Sequence, residues 1–198
     1  CSASVMRSRA LIPAVVALCA LARAAFAQRR VFYRWDPSGK KIQFHARFTF
    51  VRLPYTPTPE GYWAGGRPSW VHGYPLAEQN LMRIMKDICF LDVHVDDINV
   101  VTLDDPELFK YPIAYLIEAG FWTLTEKETD GLRNYLHKGG FLIVDDFKTE
   151  GWRGIVGGGW EPFAANIQRV LPGARFFEMN QSDPIFHSFF EIKFLNNF

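Results

Sequence analysis

The chain of 198 residues is 48% hydrophobic, 22% charged and 16% aromatic, with 15 Gly and 12 Pro, a composition that excludes disordered and collagen-like classes and makes one compact domain the natural prior. Lys and Arg number 22 against 21 Asp and Glu, a formal charge of +1, so no global field draws the chain to nucleic acid or to an anionic membrane surface. The 18 Phe, 7 Tyr and 6 Trp supply a core and leave rings over for a binding face.

Residues 1–27 carry Arg7 and Arg9 and no acidic residue, then the apolar run Ala10 to Ala22 and the small-residue stretch Ala24-Ala25-Phe26-Ala27. This pattern predicts a secretory signal peptide cleaved before Gln28, and so an exported, periplasmic or extracellular protein. The apolar run is short of the roughly 20 residues that span a bilayer, and Arg23 interrupts it, so no stable transmembrane anchor is expected after cleavage. Cys19 lies inside the run rather than after it, which disfavours lipidation. The chain opens on Cys1 with its first Met at position 6, so residues 1–5 are read as a gene-calling extension or the edge of a fragment. Cleavage leaves 19 basic against 21 acidic residues and Cys89 as the one remaining thiol. No internal disulfide follows, and stability must come from packing.

Residues 28–47 read as a linker or leading hairpin around Asp36-Pro37-Ser38-Gly39, and residues 48–198 as a single α/β domain. Phe44 to Phe50 alternates and predicts a strand running towards Leu53. Pro54 to Tyr74, with four prolines, four glycines and the rings Tyr55, Tyr62, Trp63, Trp70 and Tyr74, predicts a long ordered loop. Pro75 then opens a helix through Ile88 with Leu81, Ile84, Met85 and Ile88 as its inward stripe. Leu91 to Val95, Val100 to Leu103 and Ile113 to Ile117 read as strands, the last a continuous apolar run suited to burial on both faces. Thr125 and Glu128 form a capping box for a helix that Gly139-Gly140 ends, at least one of the two with positive φ, so that Phe141 to Val144 can enter the sheet centre. Gly154 to Gly159 leads to a helix with Phe163, Ile167, Val170 and Leu171 on one face. Arg175 to Glu178 and Phe189 to Phe194 read as further strands. Strands alternating with helices predict a three-layer α/β sandwich with a mostly parallel central sheet.

Taken in order, Phe48-Thr49-Phe50-Val51-Arg52-Leu53, Tyr74-Pro75 with Asn80-Leu81, Leu103-Asp104-Asp105-Pro106-Glu107-Leu108-Phe109, Gly120-Phe121-Trp122, Gly139 to Phe147 and Pro184-Ile185-Phe186-His187-Ser188-Phe189-Phe190 resemble the bacterial domain-of-unknown-function family 4159. The resemblance covers roughly Phe48 to Ile192. It implies an exported protein with a class I glutamine-amidotransferase-like (flavodoxin-like) fold, often encoded near components of membrane-associated complexes, and no established activity. Domains of that family continue past a position like Ile192, so a further C-terminal segment is expected.

The nucleophile of that fold class is not where its chemistry needs it. Cys89 sits in Asp87-Ile88-Cys89-Phe90-Leu91, apolar surroundings that predict a buried, inert thiol rather than one exposed on a strand-to-helix elbow. No Gly-x-Ser-x-Gly is present either, and no catalytic residue is assigned. Ligands of open parallel sheets gather beyond the carboxyl ends of the strands. Glu118 directly follows Ile113 to Ile117, and Asp145 and Asp146 directly follow Phe141 to Val144. The expectation is that these three carboxylates share one rim and, with Trp122 and His187, outline a binding site. The cluster can take a hard cation, sugar hydroxyls or acid–base work, against the competing reading of Asp145 and Asp146 as caps.

His45, His72, His94, His137 and His187 show no pairwise metal spacing, so no metal and no cofactor is expected. Asp104-Asp105-Pro106-Glu107 reads as turn chemistry, and Gly154 to Gly159 lacks the phosphate-loop pattern. The leading expectation is a non-catalytic binding or assembly module of the bacterial envelope, with an envelope protein or a carbohydrate as partner. The alternative is a hydrolase or other carbohydrate-active enzyme working through the acidic rim, which needs an open cleft between the two carboxylates.

Overall fold

The computed structural model describes residues 48, 50–63, 65–89, 91–95, 98–147 and 159–192. The chain divides into Cys1–Lys40 and Lys41–Phe198, and every described residue belongs to the second unit. The signal segment 1–27, the leading stretch 28–47, Gly154 to Gly158 and residues 193–198 lie outside the described residues.

In chain order the strands are β1 (Val51–Arg52), β2 (Thr56–Pro57), β3 (Tyr62–Trp63), β4 (Arg67–Pro68), β5 (Asn99–Val100), β6 (Ile113–Ile117), β7 (Trp122–Thr123) and β8 (Phe141–Asp145). The helices are α1 (Leu76–Ile88), α2 (Glu126–His137) and α3 (Trp160–Val170). The central sheet runs β5-β1-β6-β8 and every pair in it is parallel. Its winding reverses between β1 and β6, the strands that flank the point where such sheets open a crevice. The segment between β1 and α1 is the ordered irregular loop that its prolines and glycines predict. Within it, β2 pairs antiparallel with β7, and β3 with β4 closes a small hairpin.

Two apolar clusters cover the two faces of this sheet. Val51, Ala114 and Leu116 point into one, with Leu132 and Tyr135 of α2 and Phe163, Ile167 and Val170 of α3. Ile113 and Tyr115 face the other, with Phe50, Val93, Ile98 and Met82 of α1. The alternation along β6 sends successive side chains into opposite clusters, which is why its sequence is apolar throughout.

The expected capping box is present: Thr125 Oγ1 accepts from the Glu128 amide at 3.2 Å, and the Glu128 carboxylate accepts from the Thr125 amide at 2.8 Å. Gly139 ends α2 with φ +90°, and nothing lies within 4 Å of where its Cβ would stand. Gly139→Ala therefore acts through backbone strain alone and should cost about 1 kcal/mol, read as a lower urea midpoint with an unchanged slope. A midpoint equal to the parent's would show that this turn has another conformation open to it.

Several expectations are corrected. Phe141 to Val144 does not enter the sheet centre: among the described strands β8 is at the edge, and Phe141 is 56% exposed. The inward face of α1 is Glu78, Met82 and Met85, while Leu81, Ile84 and Ile88 face solvent. The helix is rotated because Arg52, buried on the same sheet face, pairs with Glu78. Pro75 precedes the first helical residue instead of forming it. Leu91 to Val95 supplies only a bridge from Val93 to Phe48, and Val100 to Leu103 is extended only at its start, in β5. Arg175 to Glu178 and the described part of Phe189 to Phe194 form no strand, and Phe177 is 79% exposed. Alternation records a capacity to pair, and no described strand lies beside these segments to complete a ladder. Cys89 is half-buried at the end of α1 rather than enclosed.

Candidate functional site

Because β6 and β8 run parallel with Ile117 opposite Asp145, the residues that follow them leave the sheet side by side. The Glu118 amide donates to the Asp145 carbonyl at 2.9 Å, closing the ladder at its last rung. Glu118 then turns at φ +51° and Asp146 at φ +57°. Left-handed conformations cost side-chain-bearing residues roughly 1–2 kcal/mol and collect at functional sites. Here they aim both carboxylates at one point.

That point is occupied by a residue from the loop after β1. His72 Nδ1 stands 2.8 Å from Glu118 Oε1 and 2.8 Å from Asp146 Oδ2. Glu118 is wholly buried, whereas the His72 and Asp146 side chains are 40% and 32% exposed. The cluster thus has an inner wall and an outer mouth. Trp63, on the exposed hairpin of β3 and β4, lays its ring 4.8 Å from that of His72.

Two buried side chains hold this geometry. The Tyr55 hydroxyl lies 2.7 Å from the Glu118 carbonyl oxygen, to which it donates, and shares a hydrogen bond with Ser69 Oγ at 2.9 Å. It thereby ties the turn at Glu118 to the turn of residues 69–71 that precedes His72. Burial, more than any neighbouring charge, pushes this hydroxyl well above its ordinary 10.0, so it stays a donor. From the other sheet face, the Arg52 guanidinium donates to the Trp70 carbonyl at 3.0 Å and to the His72 carbonyl at 3.3 Å while paired with Glu78. It also stacks 4.7 Å from the centre of the Tyr115 ring.

Of the residues expected at the rim, Glu118 and Asp146 are brought together. Asp145 takes a different part: its carboxylate accepts from the Tyr115 hydroxyl at 2.9 Å and from the Asp146 amide at 2.8 Å, so it caps the turn that aims its neighbour. Trp122 is buried in the core, stacked on Phe163 with ring centres 6.4 Å apart. His187 is engaged locally, with Nδ1 2.9 Å from Glu191 Oε1 and Nε2 2.6 Å from the Gln181 carbonyl. Asp105 caps the turn Pro106–Lys110 by accepting from the Glu107 amide, as its turn chemistry predicts. His72 is the residue that sequence reasoning missed, since its partners reach it only through the parallel pairing of β1, β6 and β8.

Chemically, the site offers one imidazole nitrogen and two carboxylate oxygens, one from each residue, all within 4.8 Å of one another. Such a set accepts a cation, hydrogen-bonds hydroxyls, or holds a proton between base and acid. Among the described residues no helix is long and apolar enough to cross a membrane. The model of the family described as "Domain of unknown function (DUF4159)" matches residues 49–197. None of the curated proteins matches the chain.

Proposed function

The chain belongs to the DUF4159 family, and from that premise we propose that it is a non-catalytic ligand-binding or assembly module of the bacterial envelope, with its site at His72, Glu118 and Asp146. One observation carries the reading: the space between the two carboxylates is filled by the His72 ring nitrogen, with all three donor atoms within 4.8 Å. Glycosidic hydrolysis through paired carboxylates needs about 5–5.5 Å, or about 6.5–9.5 Å, across a cleft that admits substrate or water. A filled gap suits recognition instead. The order β5-β1-β6-β8, all parallel, supports a doubly wound, amidotransferase-like scaffold, and the site lies where that winding reverses. Cys89 stands at the C-terminal end of α1, not on the strand-to-helix turn that a nucleophile elbow needs. Export is supported by the charge and apolar pattern of residues 1–27; N-terminal sequencing of the envelope-fraction protein should start at Gln28.

The test is affinity capture from the native envelope with the full chain and with Asp146→Asn, which retains shape and removes charge. Partners captured by the parent should be lost from the variant at an unchanged or higher melting temperature. Equal capture by both would place the binding site elsewhere.

A further inference from the structure

We propose that His72 Nδ1, Glu118 Oε1 and Asp146 Oδ2 bind one divalent first-row transition-metal ion of the zinc class, an assignment that rests on this cluster being the ligand site of the protein. The three donors arrive from three separate segments, the loop after β1 and the ends of β6 and β8, and each residue presents one atom to a common point. An ion of the zinc class about 2.1 Å from its donors in tetrahedral geometry holds neighbouring donors about 3.4 Å apart. The two nitrogen–oxygen separations are 2.8 Å, so each opens by about 0.6 Å as the ion enters.

A second observation is the symmetry at His72. Its Nδ1 stands at equal distance from two carboxylate oxygens, yet an imidazole nitrogen carries at most one proton. One proton aligned on one oxygen is misaligned on the other. A dication at the centre takes both oxygens and the nitrogen lone pair together, and two carboxylates with a neutral imidazole leave the assembly uncharged. Charge balance matters because Glu118 is wholly buried, where like charges are poorly screened. Arg52, whose guanidinium reaches the His72 backbone, is committed to Glu78 and to the carbonyls of Trp70 and His72.

The nitrogen donor selects the class of ion, since calcium and magnesium prefer all-oxygen shells whereas zinc and its neighbours accept imidazole. Three protein donors leave coordination positions for water or for a donor atom of the ligand. Those positions face the mouth, where His72 and Asp146 are partly exposed and Trp63 stands alongside.

Chelator-treated full-length protein is titrated with Zn²⁺ by calorimetry, and with Co²⁺ while visible absorption is recorded. One Zn²⁺ per chain and the bands of protein-bound Co²⁺ are expected. His72→Ala and Asp146→Asn, both on the partly exposed side and so expected to fold, should each weaken Zn²⁺ binding at least 100-fold, and Glu118→Gln should do the same. No stoichiometric uptake by the parent, or equal uptake by the His72 and Asp146 variants, overturns the metal site. Loss of envelope capture without any metal uptake would refute the ion and leave the binding site standing. Cluster-dependent uptake with unchanged capture would establish the ion and refute the proposed function.

Discussion

Gly131→Ala should destabilise the fold by about 2 kcal/mol or more, although it places a better helix former in the middle of α2. Helix propensity alone favours Ala by about 1 kcal/mol. Against it, a Cβ at position 131 would lie 2.0 Å from the Leu103 carbonyl oxygen, 2.9 Å from that carbonyl carbon and 3.3 Å from the Asp104 Cα. These are backbone atoms of a turn whose Leu103 side chain is itself buried in the main core, so neither side can yield by rotating a side chain. The helix must lift off the sheet, and overpacking of this kind costs about 1–3 kcal/mol and occasionally more. Lifting α2 would also strip contacts from Leu132 and Tyr135 in the same core. A urea midpoint below the parent's with an unchanged slope is the expected outcome; a raised midpoint would show that propensity wins and that α2 shifts freely.

Parts of this architecture that obey local rules are legible in the amino-acid order. Ile113 to Ile117 is written as a continuous apolar run because both sheet faces are covered there, whereas the equally apolar Phe141 to Val144 lies at the edge of the described sheet with Phe141 exposed; the carboxylates that follow both runs are placed at one rim by position alone. The Thr125–Glu128 box and the glycine stop of α2 are equally local. His72 is not legible, for it lies in a loop without periodicity and gains its role only when three parallel strands end together. The rotation of α1 is hidden for a related reason. Periodicity alone buries Leu81, Ile84 and Ile88, whereas a buried arginine on β1, distant in the chain, demands Glu78 on the inner face. Arg52 falls in phase with Phe48 and Phe50 and is wholly buried on their face, where α1 covers it.

The same arginine carries the other large expected effect. Arg52 and Glu78 are both wholly buried, and Glu78 Oε2 has no hydrogen-bond partner among the described residues. Arg52→Met alone leaves a carboxylate enclosed without its counter-charge, which costs about 3–5 kcal/mol. It also frees the Trp70 and His72 carbonyls that the guanidinium now holds. Arg52→Met combined with Glu78→Leu removes both charges and fills comparable space beside Met82 and Tyr115, so most of the stability should return, because buried ion pairs are often no better than an apolar replacement. Stability and site then come apart. The double variant should melt near the parent, yet it lacks the donor that fixes the His72 backbone, and its Zn²⁺ affinity should fall about tenfold or more, as when a supporting partner of a metal ligand is removed. A double variant as unstable as Arg52→Met would show that the guanidinium's bonds to the two carbonyls, rather than its pairing with Glu78, hold this face together. A double variant that is stable and binds Zn²⁺ like the parent would show that Tyr55 and Ser69 suffice to position the His72 loop.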